Sequence, residues 1–156
     1  MAESGDPVKI LAWILRVAVA AIFIAAAIPK IADPAAFFAA IQTYHLIPDG
    51  AAALFAVWLP WLELCTALAV FPLRQRSGAS WLLLALTVAF LLALGQAWLR
   101  GLDINCGCFG GAATVTGAAY FGYFLRDGLL FAAIAFPLWQ ERRAAGSSSS
   151  RLTPPP

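Results

Sequence analysis

Four long apolar stretches, separated by short polar connections, organise this chain: about Val8 to Ile28, Ala51 to Phe71, Ala79 to Leu99 and Gly117 to Trp139. Each is close to the roughly 20 residues an α-helix needs to cross the hydrocarbon core of a bilayer. The runs are too continuous for the alternating pattern of a membrane β-barrel. Backbone groups in lipid must be satisfied internally, so helices are predicted. The expected fold is all-α, a membrane-embedded bundle of four transmembrane helices. A further pattern lies between the first two runs, in "DPAAFFAAIQTYHLIPDG". Asp33 followed by Pro34 reads as an N-cap and first helical residue. Phe37, Ile41 and Tyr44 then recur at helical spacing until Pro48. This predicts a short amphipathic helix lying in the interface, with Lys30, Asp33, Pro34 and His45 at headgroup level.

Composition strengthens this reading. Of the 156 residues, 62% are hydrophobic and 12% charged, and mean hydropathy is +0.83. Soluble domains carry about 25% charged residues. The net charge of +2 gives a nucleic-acid partner no electrostatic support; the partner that the apolar composition implies is membrane lipid. Residues 1–7 form a short leading segment, 8–139 the membrane domain and 140–156 a tail. The tail ends in "AAGSSSSRLTPPP", which cannot bury apolar area and is expected to be disordered.

Charge sets direction. Lys9, Arg16, Arg74, Arg76, Arg142, Arg143 and Arg151 lie on one side of the predicted membrane and only Lys30 and Arg100 on the other. The positive-inside rule places both termini in the cytoplasm, so in a bacterial inner membrane the third connection faces the periplasm. "AIFIAAA" has the small residues of a processing site. The length of its apolar run, Arg16 within it, and acidic Glu3 and Asp6 before it argue for an uncleaved span.

That third connection carries the candidate chemistry, in "LDINCGCFGG". Disulfides persist in an oxidising compartment. One between Cys106 and Cys108 closes a very small ring, for which Gly107 supplies backbone freedom. It cross-links almost no chain, so it stabilises little, and a strained disulfide is readily reduced. Redox exchange is the reading this favours. Arg100 upstream favours a thiolate, and Asp103 opposes it. Other readings stay open: idle thiols, a structural disulfide, or a soft metal ion such as Cu(I) held with His45. Cys65, the remaining thiol, is expected to be a small buried hydrophobe about 20 Å from the loop side.

Glu63, Arg126 and Asp127 fall inside the spans, where each charge costs roughly 2.5–3.5 kcal/mol on insertion scales and faces the bundle interior. Glu63 and Arg126 lie at depths similar enough to pair, with Asp127 a second candidate partner; the sequence alone leaves the pairing open. A structural ion pair and a polar cavity that moves protons or binds a quinone head both fit. Pro60, one turn before Glu63, helps open such a space.

"RGLDINCGCFGG", "PKIADPAAFFAAIQTYHLIP", "LPWLELCTALAV" and "FLRDGLL" together resemble the landmarks of the MauE/DoxX family of redox-associated membrane proteins. The similarity covers about Val8 to Trp139. The resemblance implies a four-helix membrane protein that supports disulfide formation alongside a thioredoxin-like partner, in methylamine utilisation for MauE and in quinone-coupled oxidation for DoxX-type relatives. It implies Cys106 and Cys108 as the exchanging thiols and a quinone as a candidate acceptor. Quinone-linked thiol oxidases relay electrons through two cysteine pairs; this chain has one pair and a single distant thiol. A non-catalytic membrane subunit, or a metal-handling protein, is the alternative.

Overall fold

The computed structural model describes residues 7–72, 76–105 and 114–149. In chain order its elements are α1 (Pro7–Ala32), α2 (Pro34–Gln42), α3 (Asp49–Ala69), α4 (Arg76–Leu99), β1 (Ile104–Asn105), β2 (Thr114–Val115) and α5 (Ala119–Ser149). Four of the helices, α1, α3, α4 and α5, are long and apolar enough to cross a membrane. The fold is the all-α four-span bundle that the hydrophobic pattern predicts.

Helix α1 packs on α3 and α5, while α4 packs on α5 and α3. Small and branched residues fill the contacts. Val19, Ala20, Phe23, Ala67, Val70, Leu83, Ile134 and Leu138 form one core cluster, at the end where Arg16 of α1 pairs with Glu141 of α5. The outer surface is apolar, as lipid requires: Trp58 is 67% exposed and Leu99 80%. In lipid no hydrophobic force drives helix against helix, so close packing of small residues and interhelical polar contacts hold the bundle together.

Three boundaries differ from the sequence reading. Helix α1 continues past Ile28 through Pro29 to Ala32, which carries Lys30 inward with it. Helix α5 starts at Ala119, two residues after Gly117, which has a positive φ of 48°. It also runs on to Ser149, so its backbone includes part of the stretch read as an unstructured tail. Residues 1–6, Arg74, Arg151 and the rest of that tail lie outside the described residues.

Helix α2 forms where predicted. The Asp33 carboxylate accepts from the Ala36 amide at 2.9 Å, an N-cap with Pro34 just inside the helix. Its placement differs from the interfacial one. Phe37, near its start, lines a cavity with Phe90 of α4, whereas the Tyr44 carbonyl just beyond its end accepts from Gln96 at 3.1 Å. Helix α2 therefore runs lengthwise against α3, with Phe37 clustered with Ala56 and Leu59 and Gln42 bonded to Asp49 at the start of α3.

Candidate functional site

Beyond α4 the chain turns at Gly101, at φ 64°, and enters a two-stranded antiparallel stem. Ile104 pairs with Val115 and Asn105 with Thr114. Ile104 and Val115 are almost fully buried and pack with Leu94, Ala97 and Tyr120 of α4 and α5. Two residues per strand cannot hold a hairpin alone, so side chains from the bundle supply the rest. The Thr43 hydroxyl accepts from the Asn105 amide at 3.1 Å. The Tyr120 hydroxyl donates to the Leu102 carbonyl at 2.6 Å. Gln96 and Arg100 donate to carbonyls of Tyr44 and His45, which ties the α2–α3 turn to α4.

Residues 106–113, with Cys106, Gly107 and Cys108, lie outside the described residues. Their two flanks do not. Asn105, bonded directly to Cys106, sits opposite Thr114, so the segment leaves and re-enters one fixed stem at one end of the bundle. Tyr44 is beside this stem, outside the four spans. Its phenol is pushed up to about 12, first by burial and then by Tyr120 and Asp127. Replacing Tyr120 by phenylalanine leaves the Leu102 carbonyl without its partner, at a cost of about 1–2 kcal/mol. Amide exchange at Ile104 and Val115 is expected to speed up while α1 and α3 are unaffected; unchanged exchange there would contradict the pinning role.

Arg100 is exposed, and one terminal nitrogen reaches the Tyr44 and His45 carbonyls and the Gln96 side chain at 3.0–3.4 Å. His45 is exposed and adopts a positive φ of 48°.

Among the described residues the intramembrane charges form two ion pairs. Glu63 binds Lys30, not Arg126: both carboxylate oxygens accept from Nζ, at 2.8 and 2.9 Å, and both residues are buried. Lys30 is thus no rim residue. The extra turn of α1 brings it against α3, and Glu63 lies about 21 Å along α3 from Asp49. The Phe37 and Phe90 rings lie 5.0 and 5.1 Å from the Lys30 ammonium, adding cation–π attraction. Arg126 instead folds back on its neighbour Asp127 at 2.8 Å. All four charges, with Thr87, line one cavity of about 50 Å³. A water needs about 10–15 Å³ of such volume, so the space suits a few waters and not a ring-sized ligand.

Cys65 is exposed on the outer face of α3, which corrects the expectation of a buried thiol. The stripe Glu63, Thr66, Ala67 and Val70 turns inward, and residue 65 falls off it by helical geometry.

The sequence profile of the family described as methylamine utilisation protein MauE matches residues 8–140. This chain belongs to the MauE family. Among relatives, the methylamine utilization protein MauE of Paracoccus denitrificans is 35% identical over 100 residues, 62% of this chain and 53% of that protein. The protein of the same name from Methylophilus methylotrophus is 38% identical over 91 residues, 58% and 48% of the two chains. That of Methylorubrum extorquens is 34% identical over 110 residues, 70% and 58%. The chain thus spans about half the length of these MauE relatives. No solved structure matches it.

Proposed function

We propose that this MauE-family protein is a thiol–disulfide exchange protein of the bacterial inner membrane, with the Cys106–Gly107–Cys108 segment on the periplasmic side and both termini in the cytoplasm. The observation that carries the reading is the stem. Two side-chain hydrogen bonds, from Tyr120 to the Leu102 carbonyl and from the Asn105 amide to Thr43, and a buried apolar pair anchor the flanks of a segment whose distinctive content is two thiols. An idle loop has no need of such anchoring.

In the exchange, a thiolate of a thioredoxin-like partner or substrate attacks one sulfur of the Cys106–Cys108 disulfide. A mixed disulfide forms and the other cysteine leaves as thiolate. The partner's second thiolate then attacks the mixed disulfide, so the partner departs oxidised. Two electrons move to this chain and, after protonation, its two cysteines are thiols. Re-forming their disulfide returns two electrons and two protons, for which a lipid-soluble quinone, reduced to its quinol, is the proposed acceptor. By its relatives' name, the pathway served is methylamine utilisation.

Trapping tests the exchange. With Cys108→Ser or Cys106→Ser in a Cys65→Ser background, one of the two variants should accumulate a mixed disulfide with a periplasmic protein, visible as a reducible mass shift. Absence of any adduct from both variants would sink the exchange mechanism and favour a non-catalytic subunit.

A further inference from the structure

We infer that the apolar cavity between α2, α3 and α4 is a phospholipid site, with one acyl chain in the cavity and the phosphate on Arg100. The cavity holds about 280 Å³ and is walled by Phe37 and Ile41 of α2, Phe55 and Leu59 of α3, and Phe90 and Ala93 of α4. Helix α2 packs on α3 but has no comparable packing on α4, so the two face each other across this space. A space of this kind left empty forfeits the dispersion contacts its walls would otherwise make. Leu46, Ile47 and Phe55, which line it as well, are exposed; in a four-span protein such residues meet hydrocarbon. A chain of the surrounding bilayer therefore has a way in.

The chemistry of the lining selects that occupant. Tyr44 contributes the single polar side chain among the lining residues. A ring-bearing molecule with two carbonyls would leave acceptors unsatisfied there, whereas a hydrocarbon chain needs no donors. Charge completes the site at the stem end. Arg100 touches the carbonyl of Tyr44, itself a lining residue, at 3.4 Å through one terminal nitrogen. The other terminal nitrogen and Nε have no partner among the described residues, and no carboxylate there pairs with this exposed cation. Asp49, on the first turn of α3, is taken by Gln42 at 3.0 Å. A guanidinium with free donors above an apolar slot matches a phosphate above its acyl chain. The bound chain would brace α2, whose following residue Thr43 holds the Asn105 amide of the stem. This assignment stands whether or not the cysteines exchange.

Native mass spectrometry of the full chain tests it, after delipidation and titration with dioleoyl phosphatidylglycerol. The wild-type protein should keep one phospholipid at activation energies that strip the others. Ala89→Leu with Ala93→Leu fills the cavity and should abolish that retention. Arg100→Gln, an exposed change that leaves the cavity lining intact, should lower it about tenfold, as for one lost charge-assisted contact. No retained lipid on the wild-type protein, retention unchanged in either variant, or preferential uptake of a ring-bearing isoprenoid offered in competition would overturn the assignment.

Discussion

Replacing Glu63 by leucine should destabilise the bundle by about 3–5 kcal/mol, the range for breaking a buried ion pair from one side. Lys30 donates to both Glu63 oxygens and both residues are buried. Without Glu63 its ammonium loses both hydrogen bonds and keeps the Phe37 and Phe90 rings, in a small cavity that it shares with Thr87, Arg126 and Asp127. Lys30→Met alone should cost a similar amount, by stranding the carboxylate. The two changes together should restore much of the loss, because a matched apolar pair of similar volume removes both desolvation costs. Reversible unfolding in mixed detergent micelles reads all three variants. If Glu63→Leu is neutral, or the double variant loses as much as the two singles combined, the pair does not join α1 to α3 as described.

Removing both loop thiols should have the opposite profile. Cys106→Ser with Cys108→Ser is expected to reduce thiol exchange to the uncatalysed background while leaving unfolding of the bundle within about 0.5 kcal/mol of wild type. A three-residue ring constrains the unfolded chain very little. The stem is held by Thr43, Tyr120 and buried Ile104 and Val115, and none of these contacts passes through a cysteine. Exchange measured with a reduced dithiol peptide, set beside stability in the same preparation, separates the roles. Loss of stability together with activity would mean that the pair staples the fold.

How far the sequence could be read follows from what lipid leaves legible. Continuous apolar runs locate the spans, and Asp33–Pro34 locates α2, because length and capping are local properties. Which face of a span turns inward is not marked by hydrophobicity when the solvent is itself apolar. Cys65 was therefore expected inside, although the spacing of Glu63, Thr66, Ala67 and Val70 carried the phase of α3. The partner of Glu63 was not legible because the first apolar run ends near Ile28, which left Lys30 at the rim. A proline in the last turn of a long helix was tolerated, and the added turn carried Lys30 from the rim to the core. The stem had no readable signal: β1 and β2 are two residues each, and their anchors Thr43 and Tyr120 belong to distant parts of the chain. The stem is nonetheless where structure adds most to the cysteine motif, since it fixes the place from which a partner would be met.

The central claim is an exchangeable disulfide on the periplasmic face, and its state in intact cells tests that most directly. A Cys65→Ser chain would be treated with a membrane-impermeant maleimide, with and without prior reduction. The account predicts labelling of Cys106 and Cys108 only after reduction. Labelling without reduction would reveal free thiols, and no labelling under either condition would put the pair on the wrong side or out of reach; either result would contradict it.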